Sequence, residues 1–189
     1  MNRLYTNTLM YYHALLTTYL QKGDVVIDAT AGKGYDTVFL AKCVGQNGLV
    51  HAVDIQQQAI EETRARLEKE GLLGRVRLHQ MDHAVLGELD VKDVAVIIFN
   101  LGYLPGYAQV VMTQGNTTIQ AMAQSLNMLR KHGLMLLTVY PGTVQGCHEH
   151  HLIQRYIAGL DQKQVDVVEM RFPNRVNASP YGILLQKLV

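Results

Sequence analysis

The sequence has 189 residues, 48% of them hydrophobic, which is enough to bury the core of one domain. A net charge of +1 neither indicates nor excludes a nucleic-acid partner. Two cysteines are too few for a disulfide framework or a zinc site and are typical of a reducing compartment. Without a signal-peptide core or roughly 20 continuous apolar residues, the chain is expected to be one cytoplasmic domain, 1–189, that spans no membrane.

Short apolar segments alternate with amphipathic ones from residue 25 onward, a pattern typical of strands joined by crossover helices. The predicted strands are 25–30, 49–55, 76–81, 94–100, 134–140, 165–172 and 182–189. The predicted helices run from the first turn to residue 43, over 57–70, over about 113–131 and from about 148 to 160, after a helical lid within 1–22.

Only a loop, residues 173–181, separates the last two predicted strands, so these strands should pair antiparallel as a hairpin at the sheet edge. The first five strands are joined through helices and should be parallel. The predicted fold class is therefore α/β: a doubly wound, mostly parallel seven-stranded sheet with a C-terminal antiparallel hairpin, as in Rossmann-like class I methyltransferases.

Aspartates lie at the ends of the first three predicted strands, at Asp28, Asp54 and Asp82. Each alone could cap the next helix. Three in succession favour a cofactor site, because a doubly wound sheet binds its ligand beyond the carboxyl ends of its strands. The predicted cofactor contacts are Asp28, Ala29, Thr30, Gly32, Gly34, Asp36, Thr37, Asp54, Ile55, Gln56, Asp82, His83 and Asn100.

The first turn contains Gly32 and Gly34 but not the third glycine of a dinucleotide-binding loop. An acidic residue, Asp28, four positions before Gly32 suits a cationic ligand without phosphate. Asp54 can accept both hydroxyls of a ribose, and the Asp82-His83 pair can meet an adenine amino group. These features favour S-adenosylmethionine over a nicotinamide dinucleotide.

The fourth strand ends in Asn100-Leu101-Gly102-Tyr103, where an amide carbonyl could accept a hydrogen bond from an attacking amine and a ring could stack on a base. The competing interpretation is a strand-end turn with a packed tyrosine. An aliphatic amine must also lose a proton before it attacks. The candidate acceptors are Tyr140, His148, Glu149 and Asp36, and the predicted catalytic set is Asn100, Tyr103, Tyr140, His148 and Glu149.

The run from His148 to His151 could suggest a metal site. Adjacent side chains on a helix cannot converge on one ion, and the His-Glu-x-x-His motif is absent, so no metal is expected. The polar loop before the last strand could cover the acceptor, through Arg175, Asn177 and Tyr181, although ordinary turn residues explain it equally well. His13 is expected to be a packed helical residue.

Four segments, 26–37, 53–60, 100–106 and 140–142, together resemble a bacterial family labelled "putative rRNA methylases". Members of that family are similar to the enzyme that N-methylates 5-aminomethyluridine, often 2-thiolated, at the tRNA wobble position. The resemblance covers nearly the whole chain and implies S-adenosylmethionine as cofactor and tRNA as partner. Lys33 and Tyr35 stand where the family pattern has Asn and His.

Three other functions stay open from the sequence. They are a methyltransferase for rRNA or a small amine, a nicotinamide-dependent oxidoreductase, and a non-catalytic nucleotide-binding module. The missing third glycine argues against the oxidoreductase, and the Asn-Leu-Gly-Tyr segment would have no purpose in a binding module. Apolar helix faces would allow a homodimer.

Overall fold

The computed structural model describes residues 7–102, 113–176 and 178–189. Within them, no helix is long and apolar enough to cross a membrane. The strands are β1 (Val25–Asp28), β2 (Leu49–Asp54), β3 (Val76–Gln80), β4 (Val94–Asn100), β5 (Leu129–Val139), β6 (Val165–Met170) and β7 (Tyr181–Lys187). The α-helices are α1 (Thr8–Tyr19), α2 (Tyr35–Val44), α3 (Gln57–Lys69), α4 (Gly115–Met128) and α5 (Val144–Ala158), with 3-10 turns at Leu73–Arg75 and His83–Leu89.

The strands form one sheet in the order β3-β2-β1-β4-β5-β7-β6. Strands β1 to β5 are parallel, and β7 pairs antiparallel with both β5 and β6, which confirms the predicted sheet and its hairpin. The chain leaves β1 toward β2 and later returns to β4 on the other side of β1. This reversal opens a crevice beyond the carboxyl ends of β1 and β4.

Helices cover both faces of the sheet, because its central strands are apolar on both faces. Six of the seven β4 residues are buried. Buried residues of α1, α2 and α3 pack on one face, and those of α4 and α5 on the other.

The boundary between α4 and β5 differs from the predicted helix over 113–131. The helix ends at Met128, and Leu129 is already extended and pairs with Val94. The register then shifts, so that Leu134 pairs with Val96. Polar residues at 130–132 resemble a helix end in sequence, but the bulge accommodates them within the strand.

Helix α1 is anchored to the sheet through Tyr12, which is 3% exposed. Its hydroxyl lies 2.8 Å from the carbonyl oxygen of Leu137 on β5 and 3.1 Å from that of Ile183 on β7. Gly182 makes this approach possible, because a Cβ at that position would contact the Tyr12 hydroxyl and lie 2.5 Å from Cγ2 of Thr8. A glycine on β7 therefore fixes the position of the N-terminal helix.

Replacing Gly182 by alanine should lower the free energy of unfolding by about 1–3 kcal/mol, the cost of overpacking a well-packed site. Chemical denaturation of Gly182→Ala measures it. The matched control is Gly159→Ala, where a Cβ would lie 3.6 Å from the nearest carbonyl oxygen, and it should change stability by less than about 0.5 kcal/mol. Equal stability of the two variants would contradict this account of α1 docking.

Candidate active site

A cavity of about 780 Å³ opens beyond the carboxyl ends of β1, β2 and β4. It is large enough for a nucleoside cofactor together with part of a substrate. Ten of the predicted cofactor contacts line it: Ala29, Thr30, Gly32, Asp36, Asp54, Ile55, Gln56, Asp82, His83 and Asn100. The lining residues that sequence reasoning did not assign are Leu9, His13, Ala31, Lys33, Tyr35, Gly102, Thr113, Gln114 and Thr117.

Three other predicted contacts, Asp28, Gly34 and Thr37, lie behind the cavity wall. Asp28 is 1% exposed; its Oδ2 accepts a hydrogen bond from the Thr37 hydroxyl at 2.6 Å, and its Oδ1 accepts one from the Thr30 N–H at 3.3 Å. Burial, followed by the nearby charge of Asp36, raises the pKa of Asp28 to about 7. Asp28 therefore fixes the shape of the first turn instead of facing a ligand.

Gly34 begins α2 with a positive φ of 76°. A Cβ at Gly34 would lie 2.9 Å from the Cα of Thr63 on α3. The glycine is needed both for its left-handed backbone and for the close approach of α3. The Thr63 hydroxyl in turn donates to the carbonyl oxygen of Gly32 at 3.1 Å, which holds the first turn in place.

Asp54, at the end of β2, holds two turns together. One carboxylate oxygen accepts the N–H of Gly32 and the other accepts the N–H of Gln56, each at 2.9 Å. Burial raises the pKa of Asp54 above its usual value, and the two N–H groups act in the opposite direction. Each carboxylate oxygen has a second acceptor site. Asp54 can therefore accept two neighbouring hydroxyl groups, as a ribose offers.

Asp82 and His83 follow β3 at the far end of the cavity. Asp82 accepts the N–H of Ala84 at 2.9 Å and caps the short helix that begins at His83. Burial lowers the pKa of His83, so its imidazole is neutral at pH 7. Its Nε2 atom is buried and makes no hydrogen bond within the described part of the chain. The His83 ring lines the cavity and can pack against a flat ligand such as adenine.

Asn100 ends β4 and connects the two sides of the crevice. Its N–H donates to the Thr30 hydroxyl at 2.7 Å, and its Oδ1 accepts a hydrogen bond from the Tyr140 hydroxyl at 2.9 Å. Burial and then the charge of Asp36 raise the pKa of Tyr140, so the phenol stays a neutral donor. Tyr140 is outside the cavity lining and contacts the Asn100 amide through this hydrogen bond.

The structure does not place Glu149, His148 or Tyr181 at the cavity, contrary to their predicted roles. Helix α5 turns Glu149 toward α4, where it is 2% exposed and accepts hydrogen bonds from Thr113 and Thr118 at 2.9 and 2.6 Å. His148 also lies on α5, and it is exposed and outside the cavity lining. Tyr181 belongs to β7, not to the loop, and is 2% exposed.

Arg175 is exposed, and its guanidinium lies 3.8 Å from the ring centre of Phe172, away from the cavity lining. Roles were also predicted for Tyr103 and Asn177, which lie outside the described residues.

His13 on α1 is the main lining residue that sequence reasoning missed. Its Nε2 lies 2.8 Å from Oδ1 of Asp36, and its ring stacks on Phe39 with centroids 3.8 Å apart. The sequence places His13 on an apolar helix and Asp36 after a glycine turn, with no motif that links them. Only the docking of α1 against the first turn brings the two side chains together.

Comparison with known proteins identifies the family. The family model described as "Putative rRNA methylase" matches residues 50–186. The chain belongs to this family. A second model, for protein-L-isoaspartate(D-aspartate) O-methyltransferase, matches residues 4–91, less than half of the chain.

Solved structures of this kind cover nearly the whole chain. A crystal structure described as a "putative rRNA-methylase" from Clostridium thermocellum is 34% identical, with a TM-score of 0.94, and covers 97% of this chain and 99% of its own. A "putative methyltransferase" from Streptococcus mutans, crystallised with SAH (S-adenosylhomocysteine), is 32% identical, with a TM-score of 0.87 and the same coverage.

A curated relative from Arabidopsis thaliana is described as a chloroplastic "tRNA (mnm(5)s(2)U34)-methyltransferase". It is 37% identical over an alignment of 160 positions that covers 78% of this chain. The chain spans 58% of the length of that plant protein.

Replacing Asp54 by asparagine should weaken the binding of S-adenosylhomocysteine about 10- to 100-fold, since a lost hydrogen bond to a charged group costs about 1.5–3 kcal/mol. Isothermal titration calorimetry measures this affinity. Asp166→Asn, at an exposed position on β6, is the control and should leave the affinity unchanged. An unaltered affinity in Asp54→Asn would show that the ligand does not use this carboxylate.

Proposed function

We propose that the protein, a methyltransferase of the S-adenosylmethionine-dependent class by family and fold, methylates the amine of 5-aminomethyluridine, 2-thiolated or not, at the tRNA wobble position. The observation that carries this proposal is the Asn100 amide on the cavity wall, whose Oδ1 lies 2.9 Å from the Tyr140 hydroxyl. The wobble-uridine specificity of the plant relative supports the choice of substrate.

The residues of the cavity fit S-adenosylmethionine. Asp54 would hold the ribose, and Asp82 with His83 would hold the adenine. Three aspartates, Asp36, Asp54 and Asp82, line the cavity and favour a cation over a pyrophosphate. When bound, S-adenosylmethionine supplies a methyl group on a positively charged sulfur.

The polypeptide mainly aligns the acceptor amine and keeps its lone pair available. The Asn100 Oδ1 atom already accepts one hydrogen bond from Tyr140, and its second lone pair can accept an N–H of the amine. The Thr30 hydroxyl fixes the Asn100 backbone from the opposite side of the crevice. Because the orientation of the Asn100 amide is already fixed, it can align the amine, and no general acid is needed.

The cavity mouth favours a nucleotide substrate over a small free amine. Tyr35 lines the cavity, and its side chain is 63% exposed. The Arg66 guanidinium lies 3.7 Å from the centre of its ring, and the Arg66 Nε donates to the carbonyl oxygen of Lys33 at 2.7 Å. The Tyr35 ring is exposed, and the Arg66 guanidinium packs against it, so the ring offers a surface on which a nucleobase can stack.

The test is transfer of labelled methyl from S-adenosylmethionine to tRNA bearing 5-aminomethyluridine, with rRNA as the parallel acceptor and nucleoside analysis of the product. We expect label on the aminomethyl nitrogen of the wobble uridine. Asn100→Ala should lower kcat about 10- to 100-fold through loss of acceptor alignment, while cofactor affinity changes less than threefold.

Label confined to rRNA would favour an rRNA methyltransferase. Cofactor binding without transfer to either RNA would contradict the proposed enzyme.

A further inference from the structure

His13 and Asp36 form a polar pair between α1 and α2, on the wall of the cavity. The His13 Nε2 to Asp36 Oδ1 distance is 2.8 Å, and stacking on Phe39 within 5° of parallel fixes the plane of the imidazole. The His13 side chain is 36% exposed and that of Asp36 14% exposed. The imidazole is thus held in place by Asp36 and Phe39, and the pair is accessible from the cavity.

The pair lies near Asn100 rather than at the ribose end. His13, Asp36 and Asn100 all line the main cavity and also a small side cavity next to it. The charge of Asp36 is also close enough to Tyr140, the hydrogen-bond partner of Asn100, to raise its pKa. The acceptor amine would therefore meet the pair and the amide together.

Other titratable groups lie near the pair. Asp28 on β1 and Tyr140, which follows β5, are both close enough to be affected by the charge of Asp36. Asp28 is protonated over much of the acidic range because its pKa is raised to about 7. The Asp36 carboxylate lies 2.8 Å from the imidazole of His13, close enough to balance a positive charge that the ring gains with a proton.

We propose that the His13–Asp36 pair accepts the proton that the substrate ammonium must lose before methyl transfer; this inference rests on the proposed function. One N–H bond of the ammonium breaks, and the proton moves to the imidazole, whose positive charge Asp36 balances. The freed nitrogen lone pair forms the N–C bond as the C–S bond breaks and its electron pair passes to sulfur. The imidazolium then releases its proton to solvent.

The test compares His13→Gln and Asp36→Asn with the wild type, and His151→Gln is the control. Glutamine can still donate to Asp36 but cannot take up a proton. His151 is an exposed helical histidine outside the cavity lining. The measurements are kcat against pH at saturating S-adenosylmethionine and 5-aminomethyluridine tRNA, and calorimetric affinity for S-adenosylhomocysteine.

His13→Gln should lower kcat at pH 7 about 100-fold, as expected for loss of a general base. Its rate should then rise with hydroxide concentration, without the plateau of the wild type. Asp36→Asn should also lower kcat at pH 7, because the ring that takes up the proton would lose the carboxylate that balances its charge. Affinity for S-adenosylhomocysteine should change less than threefold in His13→Gln, and His151→Gln should match the wild type.

Wild-type pH profiles in both variants would overturn the proposal. A loss confined to S-adenosylhomocysteine affinity, with kcat at saturation unchanged, would overturn it too, since the pair would then hold the cofactor. A wild-type protein that does not methylate 5-aminomethyluridine would remove the proposed function and this inference together. An active wild type with unaffected variants would remove this inference alone.

Discussion

The Asp54 carboxylate, which binds the N–H groups of Gly32 and Gln56, is the interaction on which the cavity depends. It joins the turn after β1 to the turn after β2. On the other side, the Asn100 N–H binds the Thr30 hydroxyl and joins the same first turn to β4. The three turns therefore form one rigid rim at the point where the strand order reverses.

The end of the cavity lined by His13, Asp36 and Asn100, which is the proposed acceptor end, depends on parts of the chain that are far apart in sequence. Helix α1 brings His13 to the cavity, and its position depends on Tyr12 and on the glycine at 182 in β7. The last strand thus positions the first helix. A change at β7 that moves α1 would alter the acceptor end, while the Asp54 contacts would be unaffected.

The sheet could be predicted from the sequence, because hydrophobic residues are spaced differently in uninterrupted apolar strands and in amphipathic helices. The sequence also placed Asp54 and Asp82 at the cavity, since Asp54 ends β2 and Asp82 comes two residues after β3. The sequence did not predict the burial of Glu149 against α4, because this burial depends on which face of α5 packs inward. It also missed His13, because its proximity to Asp36 arises only from the packing of two separate helices.

A crystal structure of the complex with S-adenosylhomocysteine would show whether Asp54 holds the ribose. We expect both ribose hydroxyls within hydrogen-bond distance of the Asp54 carboxylate and the sulfur at the end of the cavity lined by Asp36 and Asn100. A ligand in the reverse orientation, with its adenine against Asn100 and its sulfur toward Asp82, would contradict this expectation.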